Sequence, residues 1–138
     1  MVGMAESKNN EIGRKVLLVG HCGPDSSYLK MAVRSARSDA AVVYAEDAHE
    51  LRAALDGGVD LILFNRELGY GFDEKEGVDI IRWLKPNYPT LKMMLVSNYA
   101  DAQKAAVEAG ALPGFGKREL GQPRIAKLLR EALNEEEE

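Results

Sequence analysis

The sequence contains one cysteine, Cys22. An internal disulfide is therefore excluded, and the expected setting is a reducing cytoplasm. Long apolar runs are also missing: none approaches the ~20 residues that a membrane-spanning helix needs. There is no large basic block, and the net charge is -4. Neither nucleic acid nor an anionic membrane is thus expected as the main partner. No basic-then-apolar leader opens the chain, so no secretion signal is expected. No internal repeat and no break in composition divides the 138 residues, which fit a single domain. Residues 14–134 are expected to form it, with 1–13 and 135–138 as polar, flexible tails.

What is present is alternation. Gly58-Val59-Asp60-Leu61-Ile62-Leu63-Phe64-Asn65 is a short apolar run bracketed by turn-forming residues. A strand buried on both faces reads this way. Similar runs are Lys15-Val16-Leu17-Leu18-Val19, stopped by Gly20, then Ala40-Ala41-Val42-Val43-Tyr44-Ala45 and Leu91-Lys92-Met93-Met94-Leu95-Val96-Ser97. A weaker run, Ala111-Leu112-Pro113-Gly114-Phe115-Gly116, belongs at a sheet edge, because Pro113 removes a ladder donor.

Between the strands stand helical stripes. The first carries Leu29, Ala32, Val33 and Ala36, with Asp25 or Ser26 as cap; the second carries Leu51, Ala54 and Leu55, capped by Asp47. A third runs from Gly77 to Lys85 and is closed by Pro86 and Pro89. The fourth is alanine-rich, capped by Asn98 or Asp101, and the last carries Ile125, Leu128, Leu129, Ala132 and Leu133. Five strand–helix units with right-handed crossovers imply an α/β protein: a parallel five-stranded sheet with helices on both faces. In such sheets chemistry gathers beyond the strands' carboxyl ends, which points to Asn65.

Three stretches carry a likeness to a known family: Asp60-Leu61-Ile62-Leu63-Phe64-Asn65, Leu95-Val96-Ser97, and Gly110-Ala111 followed by Lys117. In their order and spacing the chain resembles a response-regulator receiver domain, over roughly residues 15–133. The resemblance implies a flavodoxin-like three-layer sandwich with strand order 2-1-3-4-5 and five helices. It also implies phosphoryl transfer to an aspartate, which needs an acidic pair to hold Mg²⁺, an acceptor carboxylate, a hydroxyl, a lysine and a mobile aromatic. Ser97 matches the hydroxyl and Lys117 the lysine, although Arg118 stands where the family usually has proline. The acidic pair falls on Gly20 and His21, the acceptor on Asn65, and the aromatic on Gly114, with Phe115 one place later. The loop after Asn65 is about four residues longer than usual. An amide nitrogen, its lone pair delocalised, is a poor nucleophile. The expectation is therefore a degenerate pseudo-receiver, not an enzyme, with Mg²⁺ binding weak or absent and no resident metal. It would work by contact with protein partners in a signalling pathway. The face of the fourth helix, fifth strand and fifth helix docks partners or a second copy in relatives, so a homodimer there is one such partner.

The remaining candidates surround the same pocket. Asn65 is read either as a neutral replacement bonded to Ser97 or backbone, or as a plain strand-end cap. Lys117 can pair with Asp25 or Glu67, attract an anion, or stand in solvent. His21, Cys22 and Asp25 share one loop; a metal or small-ligand site there is one reading, a reactive Cys22 another. The more economical reading has His21 and Cys22 filling the space vacated by the acidic pair. Glu67, two residues beyond Asn65, is a candidate displaced acceptor. Tyr70, Phe72 and Trp83 are candidates for an exposed aromatic patch, with Trp83 as readily half-buried.

Overall fold

The computed structural model describes residues 14–133; the two expected tails lie outside the described residues. The elements follow in order: β1 (Lys15–Val19), α1 (Gly23–Ala36), β2 (Ala41–Ala45), α2 (Ala48–Gly57), β3 (Leu61–Asn65), α3 (Gly77–Asn87), β4 (Met93–Val96), α4 (Ala100–Glu108), β5 (Leu112–Phe115) and α5 (Pro123–Leu133). A short 3-10 turn, Lys117–Glu119, links β5 to α5. The strands form one five-stranded sheet in the order β2-β1-β3-β4-β5, every pairing parallel, as expected.

The reason for the continuous apolar runs is visible in the packing. Side chains alternate across each strand, and here both faces are covered. Val16, Leu18, Leu61, Leu63, Met94 and Val96 pack with Leu29 and Val33 of α1 and Ile125 and Leu129 of α5. Leu17, Val19, Ile62, Phe64, Met93 and Leu95 pack on the other side with Leu51 of α2, Ile81 and Leu84 of α3, and Ala106 of α4. Each such side chain contributes about 1.5–3 kcal/mol by leaving water. No helix among the described residues is long and apolar enough to cross a membrane.

Several local expectations are corrected. Neither Asp25 nor Ser26 caps α1: the helix begins at Gly23, with Cys22 at the N-cap and no side-chain cap. Pro24 starts it early, since a residue without N–H loses nothing in the first turn. Asp25 thus lies inside that turn. Helix α3 continues through Pro86 to Asn87, with one donor forfeited at Pro86; Tyr88 N–H and the Asn87 side-chain Nδ2 donate to Leu84 O and Trp83 O beside it. Tyr99 takes the N-cap of α4, while Asn98 Oδ1 accepts instead from Arg118 N–H (3.1 Å). Asp47 does cap α2, accepting from Glu50 N–H at 2.7 Å.

The segment 66–76 is an ordered strap. Glu67 and Glu76 form an antiparallel bridge, and Leu68 N–H donates to Lys75 O at 2.8 Å. Its tip is tied down by Ala48 N–H donating to Gly71 O at 2.9 Å. Phe72 is not part of an exposed patch; it is 8% exposed and packs into the core beside Leu51 and Ile80. Tyr70 is fully exposed, and Trp83 is 55% exposed on the outer side of α3. Phe72→Ala should therefore lower stability by about 3 kcal/mol, whereas Tyr70→Ala should change it by less than about 0.5 kcal/mol. Urea unfolding of both variants against wild type checks the pair; equal costs would mean that Phe72 does not anchor the strap.

Candidate functional site

The carboxyl ends of the strands open at one edge, and four of the sequence candidates, Asn65, Glu67, Ser97 and Lys117, meet there. Asn65 at the end of β3, Ser97 after β4 and Lys117 after β5 line a cleft of about 160 Å³, together with Arg66, Glu67, Val96, Asn98 and Tyr99. Gly20, His21, Cys22 and Asp25 do not line it, although Asp25 reaches it through Lys117. The bond between Lys117 Nζ and Asp25 Oδ2 is 2.6 Å long, with both side chains about one-third exposed. It joins the end of β5 to the first turn of α1.

Several polar groups in the cleft have partners. Ser97, 6% exposed, accepts from Tyr99 N–H through Oγ at 3.1 Å. Asn65 does not meet Ser97: its Nδ2 donates to Glu67 O at 2.7 Å and holds the base of the strap. Glu67 is the single carboxylate among the lining residues, and it pairs with Arg66 at 3.2 Å. The Arg66 guanidinium also lies 4.7 Å from the centre of the Tyr99 ring, within cation–π range.

Gly20 follows β1 with φ +79°, a conformation that glycine adopts without strain. A Cβ there would meet Leu68 Cδ2 at 2.8 Å. The strap thus lays an aliphatic side chain over the end of β1. Leu68 escaped the sequence reading because a single apolar residue in a polar loop has no period to reveal it. Tyr99 and Asn98 were missed as cleft residues as well: Asn98 read as a helix cap, and nothing in the sequence singled out Tyr99.

The loop after β1 divides its two central residues. His21 turns inward, 9% exposed, and its Nε2–H donates to Leu63 O at 2.9 Å, which leaves Nδ1 buried without a partner. Burial, with the nearby Lys117 cation adding to it against the opposing Leu63 bond and Asp25, lowers its pKa to about 4. Cys22 does not fill the vacated space; it is exposed. A bond from Lys117, assisted by the Cys22 thiol, holds the Asp25 carboxyl below its ordinary pKa. Among the described residues no group of three or more His, Cys, Asp or Glu side chains is arranged to hold a metal ion. Chemically the cleft offers side-chain amides, the Ser97 hydroxyl, one paired ammonium, one paired guanidinium and one paired carboxylate.

The buried imidazole sets a pH dependence. Between the unfolded pKa of 6.5 and the folded value of about 4, the unfolded chain takes up a proton that the folded chain refuses. Stability is therefore full above pH 6.5 and falls as the pH drops through that window, by about 2.5 kcal/mol at pH 4.5. His21→Gln, whose amide can still donate to Leu63 O, should remove that part of the loss. Urea unfolding of both proteins at pH 7 and pH 4.5 measures the difference; identical losses would place the titration elsewhere.

No known family profile matches the sequence, and no curated protein does. Solved structures do match. A putative response regulator from Chloroflexus aurantiacus J-10-fl superposes with a TM-score of 0.72 at 17% identity, covering 88% of this chain and 98% of that one. A response regulator from Thermotoga maritima gives 0.66 at 20% identity, covering 89% and 99%. The beryllofluoride-activated receiver domain of NtrC4, a dimer in solution, gives 0.67 at 17% identity, covering 88% and 97%. Over nearly the whole of its described length, the chain has the flavodoxin-like fold of response-regulator receiver domains.

Proposed function

We propose that the chain is an atypical receiver-like signalling module that works by protein contact, without aspartyl phosphorylation and without enzymatic activity of its own. The observation that carries this reading is Asn65. At the strand end where a receiver places its acceptor carboxylate stands an amide, and its Nδ2 is bonded to Glu67 O at 2.7 Å. Three further features support it. The position after β1 is a glycine covered by Leu68. Lys117 has its counter-charge in Asp25. The cleft's one lining carboxylate is tied to Arg66. A Mg²⁺ ion prefers about six oxygen ligands with near-octahedral geometry, so magnesium would bind weakly or not at all.

The partner is a protein of a signalling pathway. The α4–β5–α5 face is the working surface in this reading, and on α4 it exposes Val107, with Tyr99 at the helix start. The NtrC4 receiver domain is dimeric when activated, and a homodimer through this face is one form the contact can take.

Incubation with Mg²⁺ and acetyl phosphate, followed by intact-mass measurement, should give no phosphoryl adduct on wild type. Asn65→Asp should give none either, because Gly20 and His21 still supply no carboxylates and Leu68 still covers the strand end. An adduct on wild type, located at Glu67 by fragmentation, would replace this reading with that of a displaced acceptor. Efficient modification of Asn65→Asp would show that one carboxylate suffices and that the pocket is otherwise intact.

A further inference from the structure

The join between β4 and β5 depends on a side chain from outside the sheet. Met94 pairs with Leu112 and Val96 with Phe115, so two steps along β4 match three along β5 and the register slips between them. The extra length falls on Pro113, which has no N–H, and on Gly114. A bulge of this kind leaves ladder groups without partners, and a buried backbone group without a partner is costly.

Gln103 of α4 fills the gap. Its Nε2 lies 2.9 Å from Leu95 O, 3.0 Å from Ser97 O and 3.2 Å from Phe115 O, and its Oε1 accepts from Gly114 N–H at 3.2 Å. The orientation of the amide is chemically forced: three carbonyls require the NH₂ end, and an N–H requires the oxygen. The absence of a side chain at position 114 makes the room. A Cβ on Gly114 would run into Leu95 O and stand 2.9 Å from Gln103 Oε1.

We propose that Gln103 is a clamp that holds α4 and β5 to β4 in one arrangement and thereby uncouples the α4–β5 surface from the strand-end cleft. The route it interrupts is short. Ser97 lines the cleft and gives its carbonyl to Gln103, and Phe115, another acceptor, is two residues before Lys117. A displacement of Ser97 or Phe115 meets these bonds before it reaches the body of α4; Tyr99, which lines the cleft and precedes the helix, is the second connection. The inference goes beyond the proposed function and does not need it, since the clamp would act in the same way if some cleft residue did accept a phosphoryl group.

The experiment uses the full ¹⁵N-labelled chain. In wild type the Gly114 amide should be protected from hydrogen exchange, and Ser97, Gly114, Phe115 and the α4 amides should show no microsecond–millisecond exchange broadening. In Gln103→Ala, and in Gln103→Glu, which sets an oxygen against three carbonyls, Gly114 should exchange about tenfold or more faster relative to the β1 amides in the same sample. Millisecond broadening should appear in β5 and α4. Lys117→Gln then tests the uncoupling: its shift changes should stop short of α4 when Gln103 is present and spread through α4 in the Gln103→Ala background. Broadening at these sites in wild type, unchanged relative exchange of Gly114 in the variants, or equal spread of the Lys117→Gln perturbation in both backgrounds would each overturn the clamp. The wild-type measurement remains decisive if neither Gln103 variant folds. None of these readouts involves phosphorylation, so a failure here is distinct from a failure of the proposed function.

Discussion

Burial of the central strands on both faces is the constraint from which the rest follows. With α1 and α5 on one side and α2, α3 and α4 on the other, β1 and β3 can carry only apolar side chains along their lengths. Polar residues are therefore pushed to the strand ends, and parallel pairing puts all the carboxyl ends at one edge. Asn65, Ser97 and Lys117 come together because three strands stop at that edge in register: Asn65 pairs with Val96, the residue before Ser97, and Val96 pairs with Phe115. The cleft is a consequence of the sheet, and only the choice of side chains around it is specific to this chain.

Those side chains solve one electrostatic problem. An ammonium at the end of β5 needs a counter-charge, and neither β1 nor β3 ends in one. The early start of α1 at Gly23 brings Asp25 within 2.6 Å of Lys117. With the pair about one-third exposed, its contribution to stability is modest; its effect is geometric, tying the first turn of α1 to the last strand. The strap completes the closure. Asn65 holds its base, Phe72 its far end, and Leu68 lies over Gly20 between them. Leu68 over the end of β1 and the buried His21 imidazole occupy the place after that strand, and the charges at this edge stand in pairs, Lys117 with Asp25 and Arg66 with Glu67.

The fold was legible because periodicity reports burial. The β1 run was placed to the residue, the strand order matched, and the three cleft residues were identified from their positions after strands. What was not legible has physical reasons. Phe72 and Trp83 could not be sorted from sequence: the strap carries its phenylalanine inward, while the indole lies on the outer side of an amphipathic helix whose inner positions were already filled. Asp25 read as a cap because its side-chain chemistry suits one, but Pro24 moved the helix start; its pairing with Lys117, one of the partners the sequence offered, is the one found. Cys22 and His21 read as a pair, yet only one of two adjacent residues could turn inward there.

Gln103 was the least legible of all, and it connects the weakest strand to the rest. On an alanine-rich helix a glutamine reads as a solvent-facing residue, and on a strand Pro113 and Gly114 read as defects. The three belong together. Proline has no donor to offer at the slip in register, and glycine leaves space. The glutamine amide donates to Leu95 O, Ser97 O and Phe115 O, the last of which also accepts from Ser97 N–H, while its oxygen accepts from Gly114 N–H. A ring or any other side chain at position 114 could not share that space with the amide. The missing side chain at position 114 therefore provides the seat for the Gln103 amide. The Gln103 bonds run to backbone groups of β4, Ser97 and β5, so the join they make at this edge of the sheet does not depend on what the strand-end cleft binds.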